Sequence, residues 1–248
     1  NFPTVILSMP QIFLDWWYSL CVLSRASVCF SALLTCASSL NVVSPYLFIV
    51  DWTEIVRSLQ VWRCATALLF FGKLNIHTAF KLFFFADYQN RLGRDLRHLP
   101  DHIYLNLFLW ITGLSASYMW DIPIISDIFL FSLISVWSIY HSDEHVAVYF
   151  FTLEARYLPI TLLFLDYAQS QQWKNGIIGI FSGYLYYYLK WVLPKTHGCQ
   201  PLRTPTWVVV LCSKFSIIGS RLYKKPYQSL RDVKGKFCWG KGYRLGER

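Results

Sequence analysis

The sequence is poor in charge: Asp, Glu, Lys and Arg make up 15% of 248 residues, against 55% hydrophobic. Soluble domains carry about a quarter charged residues, and a soluble chain this apolar exposes patches that aggregate. A soluble globular enzyme is thereby excluded as the simplest reading. The seven cysteines, Cys21, Cys29, Cys36, Cys64, Cys199, Cys212 and Cys238, form no CxxC pair and are odd in number. Neither a disulfide framework nor a zinc site is indicated, and no cofactor is called for. Internal repeats and low-complexity runs are absent, which argues against a small-solute transporter built from duplicated halves around a midplane site. Phe2–Leu14 is apolar but short and follows no basic residue, so it does not read as a secretory signal; Met9 offers an alternative start.

What is abundant is aromatic: Phe, Trp and Tyr make up 19%. Trp and Tyr collect where a helix leaves the bilayer, because their rings are apolar and their N–H or O–H seeks water. Six segments are apolar enough to cross, given the roughly 20 residues that a span needs. They are Ala26–Val43, Leu74–Tyr88, His102–Met119, Ile122–Tyr140, Val146–Leu165 and Asn175–Leu193, the last ended by Pro194. Asp15–Ser24, with Trp16, Trp17 and Tyr18, is predicted to lie in the interface, as is Thr206–Ile218. Val61–Phe71, in the loop after the first span, is too short to cross and is predicted to be half-buried against protein.

Charge is unevenly placed. From Lys195 onward there are 12 Lys or Arg against 2 acids; residues 1–194 hold 11 against 12. Arg25, the loop with Arg91, Arg94 and Arg97, and the basic tail fall on one side of a six-span protein, and positive segments stay cytosolic. Both termini are predicted in the cytosol. The tail's charge is read as membrane-facing, not as a nucleic-acid footprint. The organisation expected is an N-terminal segment over 1–25, a six-helix membrane domain over 26–194, and a largely flexible basic cytosolic tail over 195–248.

Several features carry functional expectations. Trp62-Arg63 puts an interfacial aromatic beside a cation. Gly179 and Gly183, four apart in the last span, clear a stripe for a neighbouring helix. In the tail, Phe237, Trp239, Gly240, Gly242 and Leu245 alternate bulk with glycine, as in an extended peptide that docks anchors in a partner's groove. Glu154 and Arg156 fall inside the predicted fifth span; charge there faces water or a partner, so they are expected either to line a polar groove for passing polypeptide or to form a local ion pair. His141-Ser-Asp143-Glu144-His145 has histidines four apart, as a metal loop would, and reads more simply as a charged connection.

Taken in chain order, these landmarks resemble the Derlin family from about Asp15 to Gly246. The landmarks are Ser44-Pro45-Tyr46, Trp62-Arg63, Leu69-Phe70-Phe71-Gly72, Val136-Trp137-Ser138, Phe150-Phe151, Leu158-Pro159, Gly179/Gly183, Leu193-Pro194, Arg203-Thr204-Pro205 and the terminal Phe-x-Trp-Gly-x-Gly. The resemblance implies an all-α, rhomboid-like membrane protein without catalysis. It implies residence in the endoplasmic reticulum membrane and a part in retrotranslocating misfolded proteins for degradation, next to a membrane ubiquitin ligase complex. The tail looks like the family's SHP box, which recruits an AAA ATPase of the valosin-containing protein type. Assembly as a homo- or hetero-oligomer stays open, and so does import across the outer membranes of a complex plastid. The chain departs from the pattern at Tyr184, where His often follows the second glycine, at Tyr243, and in lacking an acidic, proline-rich tail spacer.

Proteolysis is not expected. A rhomboid-type Ser needs a His base. The last span holds no His, and Ser126 lies between Ile125 and Asp127, outside any Gly-x-Ser-Gly.

Overall fold

The computed structural model describes residues 17–18, 20–96, 99–148, 151–170, 173–197, 202, 204–210 and 212. Helix dominates. Five elements are long: α1 (Val22–Ser39), then α4 (Ile76–Asp95), α5 (Leu99–Trp120), α6 (Ser126–Tyr140) and α8 (Trp173–Tyr187). Between α1 and α4 come a 3₁₀ turn (Pro45–Leu47) and the short helices α2 (Trp52–Ser58) and α3 (Trp62–Leu69). Between α6 and α8 come strands β1 (His145–Val148) and β2 (Phe151–Glu154), a 3₁₀ turn (Ala155–Tyr157) and α7 (Leu158–Ser170). A π-helical turn (Tyr188–Val192) joins α8 to α9 (Leu193–His197). Among the described residues, α1 is long and apolar enough to cross a membrane, and α6 is a shorter apolar helix.

The bundle is organised around α6. Every side chain from Ser126 to Ser138 is buried. A helix apolar all round belongs in a core, and its serines fit there by returning their hydroxyls to backbone: Ser132 donates to the Phe129 carbonyl and Ser135 to that of Phe131, each at 2.7 Å. Against it lies α8, admitted by glycine. A Cβ on Gly179 would sit 2.5 Å from the Ile128 carbonyl oxygen, and one on Gly183 2.8 Å from that of Ser132. Backbone oxygens cannot step aside as a flexible side chain can, so these two positions require glycine. On the other flank, α1 turns Ser24, Ser31, Thr35 and Ser38 inward while Cys29, Phe30 and Leu33 face out. Small side chains let α1 approach α4, with Cys21 N–H donating to Asn90 Oδ1 at one end and Leu74 N–H to Ser39 Oγ at the other.

The helix starts follow local chemistry. Asp51 caps α2 by accepting from the N–H groups of Thr53 and Glu54, and Asn75 caps α4 by accepting from Thr78. Gly72 just upstream has φ +98°, a left-handed conformation natural to glycine.

The fifth apolar segment departs from expectation. Val146–Leu165 is not one helix: its first half is an antiparallel hairpin pairing His145 with Glu154 and Val148 with Phe151, and helix begins only at Leu158. The run His145-Val-Ala-Val148 alternates exposed and buried, with Val146 and Val148 in the core, which is the period of a strand. The hairpin satisfies its own backbone and is tied down where Ala155 N–H donates to the Glu144 carbonyl and Ser138 Oγ donates to that of Ala155. The sixth segment does not stop at Pro194 either; helical structure runs on to His197. Proline removes a donor and crowds the carbonyl four residues back. The widened π turn immediately before α9 accommodates both effects.

Candidate functional site

Four titratable side chains from three helices meet near the end of the bundle where α4 and α6 begin. Lys81 lies about a turn and a half into α4, roughly 8 Å along its axis. Its Nζ contacts Asp127 Oδ1 at 2.7 Å, from the first turn of α6, and Asp166 Oδ1 at 3.0 Å, from the last turns of α7. His77, one turn before Lys81, brings Nε2 to 2.9 Å from the same Asp166 oxygen. The Lys81 and Asp127 side chains are 12% and 11% exposed and that of Asp166 6%, so the ammonium is almost stripped of water and held by carboxylates instead. Charge buried at this depth survives when paired. Beside the cluster, α4 and α7 flank a crevice of about 30 Å³ floored by α6, with Phe80, Phe84, Leu162 and Leu165 as its walls. That is room for about one water molecule.

Ser126, adjacent to Asp127, donates its hydroxyl to the Phe70 carbonyl at 2.8 Å. This bond helps hold the 44–73 loop onto the bundle. Val50 N–H donates to the Pro123 carbonyl and Trp110 Nε1–H to that of Cys64. Within the loop, the Arg63 guanidinium is buried and donates to the carbonyls of Tyr46 and Ile49 and, through Nε, to Gln60 Oε1. Arg63 thus joins the Ser44-Pro45-Tyr46 turn to α3, two landmarks that are far apart in sequence. Trp62 beside it is more than half exposed. Burial pushes the neighbouring Cys64 thiol above its ordinary range, so it stays protonated at neutral pH.

At the opposite end, Trp137 is buried between Tyr88, edge-on at 5.3 Å, and His141, stacked at 4.9 Å, with the Arg91 guanidinium 5.1 Å from its centroid. In the π turn, Lys190 donates to Tyr186 Oη at 2.9 Å and Trp191 Nε1–H to Tyr140 Oη at 2.6 Å. Thr204 Oγ1 donates to the buried Asp101 carboxylate, fastening the chain beyond α9 to the start of α5.

Glu154 and Arg156 do not lie in a membrane helix. Glu154 ends β2 and Arg156 sits in the following 3₁₀ turn, because the strand period displaced the helix start. They pair with each other at 2.8 Å, and Arg156 reaches Asp143 at 3.4 Å, with both partners substantially exposed. Among the described residues no group of three or more His, Cys, Asp or Glu could hold a metal. Phe237, Trp239, Gly240, Gly242 and Leu245 lie outside the described residues, as do Asp15 and Trp16. Sequence reasoning did not bring His77, Lys81, Asp127 and Asp166 together. The available signal was the presence of ionisable residues in or just beyond apolar segments.

Comparison with known proteins finds the same family over most of the chain. The model of the Der1-like family matches residues 20–206. Derlin-2.2 of Arabidopsis thaliana is 28% identical over 229 residues, covering 86% of this chain and 93% of its own length. Derlin-1 of Oryza sativa subsp. japonica is 28% identical over 210 residues, covering 82% and 86%. Derlin-1 of Arabidopsis thaliana is 28% identical over 236 residues, covering 92% and 85%.

Proposed function

The chain belongs to the Der1-like family, and on that premise we propose that it is a non-catalytic, multi-pass component of protein retrotranslocation in ER-associated degradation. The observation that carries this reading is the family match over residues 20–206, with Derlin relatives similar along most of their length. In this reading α1, α4, α5, α6, α7 and α8 are the six crossings of a rhomboid-like domain in the endoplasmic reticulum membrane. Both termini are cytosolic, and the 44–73 loop with Trp62 and Arg63 lies on the lumenal side. The protein engages misfolded substrates beside a membrane ubiquitin ligase complex. The energy for extraction comes from an AAA ATPase of the valosin-containing protein type, recruited through Phe237, Trp239, Gly240, Gly242 and Leu245.

Two observations support the absence of chemistry. The segment Asn175–Leu193 contains no His to act as base, and Tyr184 stands in the position after Gly183. The Ser126 hydroxyl is committed to a backbone carbonyl in the core. The exposed Glu154–Arg156 pair fits a surface role better than a groove lining.

The test has two arms. A peptide covering Tyr227–Arg248 is used to pull down the purified ATPase, beside the Phe237→Ala, Trp239→Ala double variant. Binding abolished by the double substitution is expected; equal capture by both peptides sinks the recruitment reading. In cells, removing the chain should slow turnover of misfolded membrane and lumenal proteins, and unchanged turnover removes the degradation role.

A further inference from the structure

Cys21 leads into α1, and its backbone N–H is held by Asn90 Oδ1 of α4 at 2.9 Å. Gly93 stands about one turn further along α4, and two side chains share the space that its missing side chain leaves. A Cβ there would lie 3.0 Å from Cys21 Sγ, 3.0 Å from His102 Cε1 and 3.1 Å from His102 Nδ1. The thiol and the imidazole therefore border one gap, with sulfur and Nδ1 at most about 6 Å apart. His102, in the first turn of α5, is 2% exposed, and its Nε2 has no hydrogen-bond partner among the described residues. Buried polar atoms are almost always paired, and an exception calls for a role such as catalysis or ligand binding. With Nε2 unengaged, Nδ1 is free to turn a lone pair toward the sulfur. Burial pushes the Cys21 thiol above its ordinary range, against the pull of the Arg94 and Arg25 charges. Such a thiol is protonated at neutral pH and reacts only with help from a base. Cys21 is half-buried, and Tyr18 and Val22 beside it are exposed, so the gap opens at the edge of a spanning helix.

We infer that Cys21 is an S-acylation site that takes its acyl group from a long-chain acyl-CoA, with His102 as the base. Cys21 Sγ attacks the thioester carbonyl carbon while His102 takes the thiol proton. The new carbon–sulfur bond forms, the bond from that carbon to the CoA sulfur breaks, and the proton passes from His102 to CoA, which leaves as its thiol. Nothing is oxidised or reduced, and each chain reacts once, so the step is a modification and not turnover. The donor fits the place. Its acyl chain lies in the bilayer, its thioester at the surface, and its phosphates within reach of Arg25 and the exposed Arg94. Cys29 and Cys36 are exposed on the same helix but lie about 12 and 22 Å further along its axis, below the depth that a CoA headgroup reaches. Once attached, the chain follows the outer face of α1, past Val22, Phe30 and Leu33. The inference rests on the proposed function only in placing this end of the bundle on the cytosolic side, where acyl-CoA is found.

The experiment uses the full chain in lipid nanodiscs with alkyne-tagged palmitoyl-CoA and no acyltransferase. Label released by hydroxylamine marks thioesters, and peptide mapping locates them. Cys21 should be labelled at least about tenfold faster than Cys29 or Cys36, and between about pH 6.5 and 8 its rate should be nearly flat, since the base and not preformed thiolate limits it. His102→Phe should slow Cys21 by about a hundredfold, the low end of what a positioned base contributes. The residual rate should then climb about tenfold per pH unit, following the thiolate. Gly93→Ala, which puts a methyl between sulfur and ring, should act in the same direction. Labelling of Cys21 no faster than Cys29, or a rate in the parent that already climbs tenfold per pH unit, overturns the inference. Both readings come from the unsubstituted protein, so misfolding of a variant cannot mask them. Sealed microsomes separate the two ideas: Cys21 labelled in nanodiscs but protected in microsomes sinks the cytosolic placement and leaves the acylation site standing.

Discussion

Replacing Lys81 by Met removes one ammonium and leaves Asp127 and Asp166 facing each other in a nearly dry site. Both oxygens lie within 3.0 Å of one nitrogen, so they are at most about 6 Å apart. At an effective dielectric of about 20, two like charges at that distance repel by about 3 kcal/mol. Breaking a buried ion pair by deleting one partner costs about 3–5 kcal/mol, in agreement. For a chain of this size each kcal/mol moves the melting temperature by about 2–4 °C, so Lys81→Met should lower Tm by about 6–12 °C. The measurement is a thermal ramp on the purified protein in lipid nanodiscs, followed by Trp fluorescence. The triple variant Lys81→Met, Asp127→Asn, Asp166→Asn removes charge from all three and should recover most of the loss, because uncharged replacements need no desolvated partner. Two results would refute the reasoning. A Lys81→Met protein melting within about 2 °C of the parent, a shift expected of surface changes, would mean that the ammonium resides in water. A triple variant as unstable as the single one would mean that shape, not charge, holds the site.

Other substitutions probe the frame around the cluster. Gly179→Ala should destabilise by about 1–3 kcal/mol through overpacking on the Ile128 carbonyl. Gly113→Ala, whose nearest neighbour would be 4.0 Å away, should be neutral or stabilising by up to about 1 kcal/mol; thermal melts of the pair check both signs. Arg63→Met should free the Tyr46 and Ile49 carbonyls from their buried donor, at about 1.5–3 kcal/mol, and hydrogen exchange should quicken across the 44–63 segment. Glu154→Gln with Arg156→Gln should change stability by less than about 1 kcal/mol, since both partners are substantially exposed. A larger drop in Tm would mean that the pair is buried in the membrane-bound protein.

The sequence made the apolar segments legible most clearly at α1 and α6, whose hydrophobic runs are longer than strands need. It made the glycine contact legible because Gly179 and Gly183 share a helix face. It failed where a short apolar run has two readings: Val146–Leu153 has the hydrophobicity of a half-span, but His145–Val148 alternates exposed and buried as a strand does, and the hairpin pairing decided between them. The charge cluster failed for a different reason. Its members come from three helices, and Asp166 lies one residue past the predicted fifth span, so each looked like an isolated polar blemish until tertiary packing joined them. Arg63 was visible as a motif, but its long-range partners were not, because the carbonyls of Tyr46 and Ile49 are backbone groups that no residue type announces.

The π turn at Tyr188–Val192 sets the angular phase of everything that follows it. Each residue advances a helix by about 100°, so one extra residue in a turn rotates the rest of the chain by that amount about the axis. Lys190 and Trp191 are thereby turned toward Tyr186 and Tyr140. Deleting one residue within 188–192 would restore the α period at little local expense and turn α9 by about 100° about its axis. This single turn therefore acts as a bearing mark for α9: its length in residues, more than its composition, decides which face Leu193–His197 turns toward the bundle.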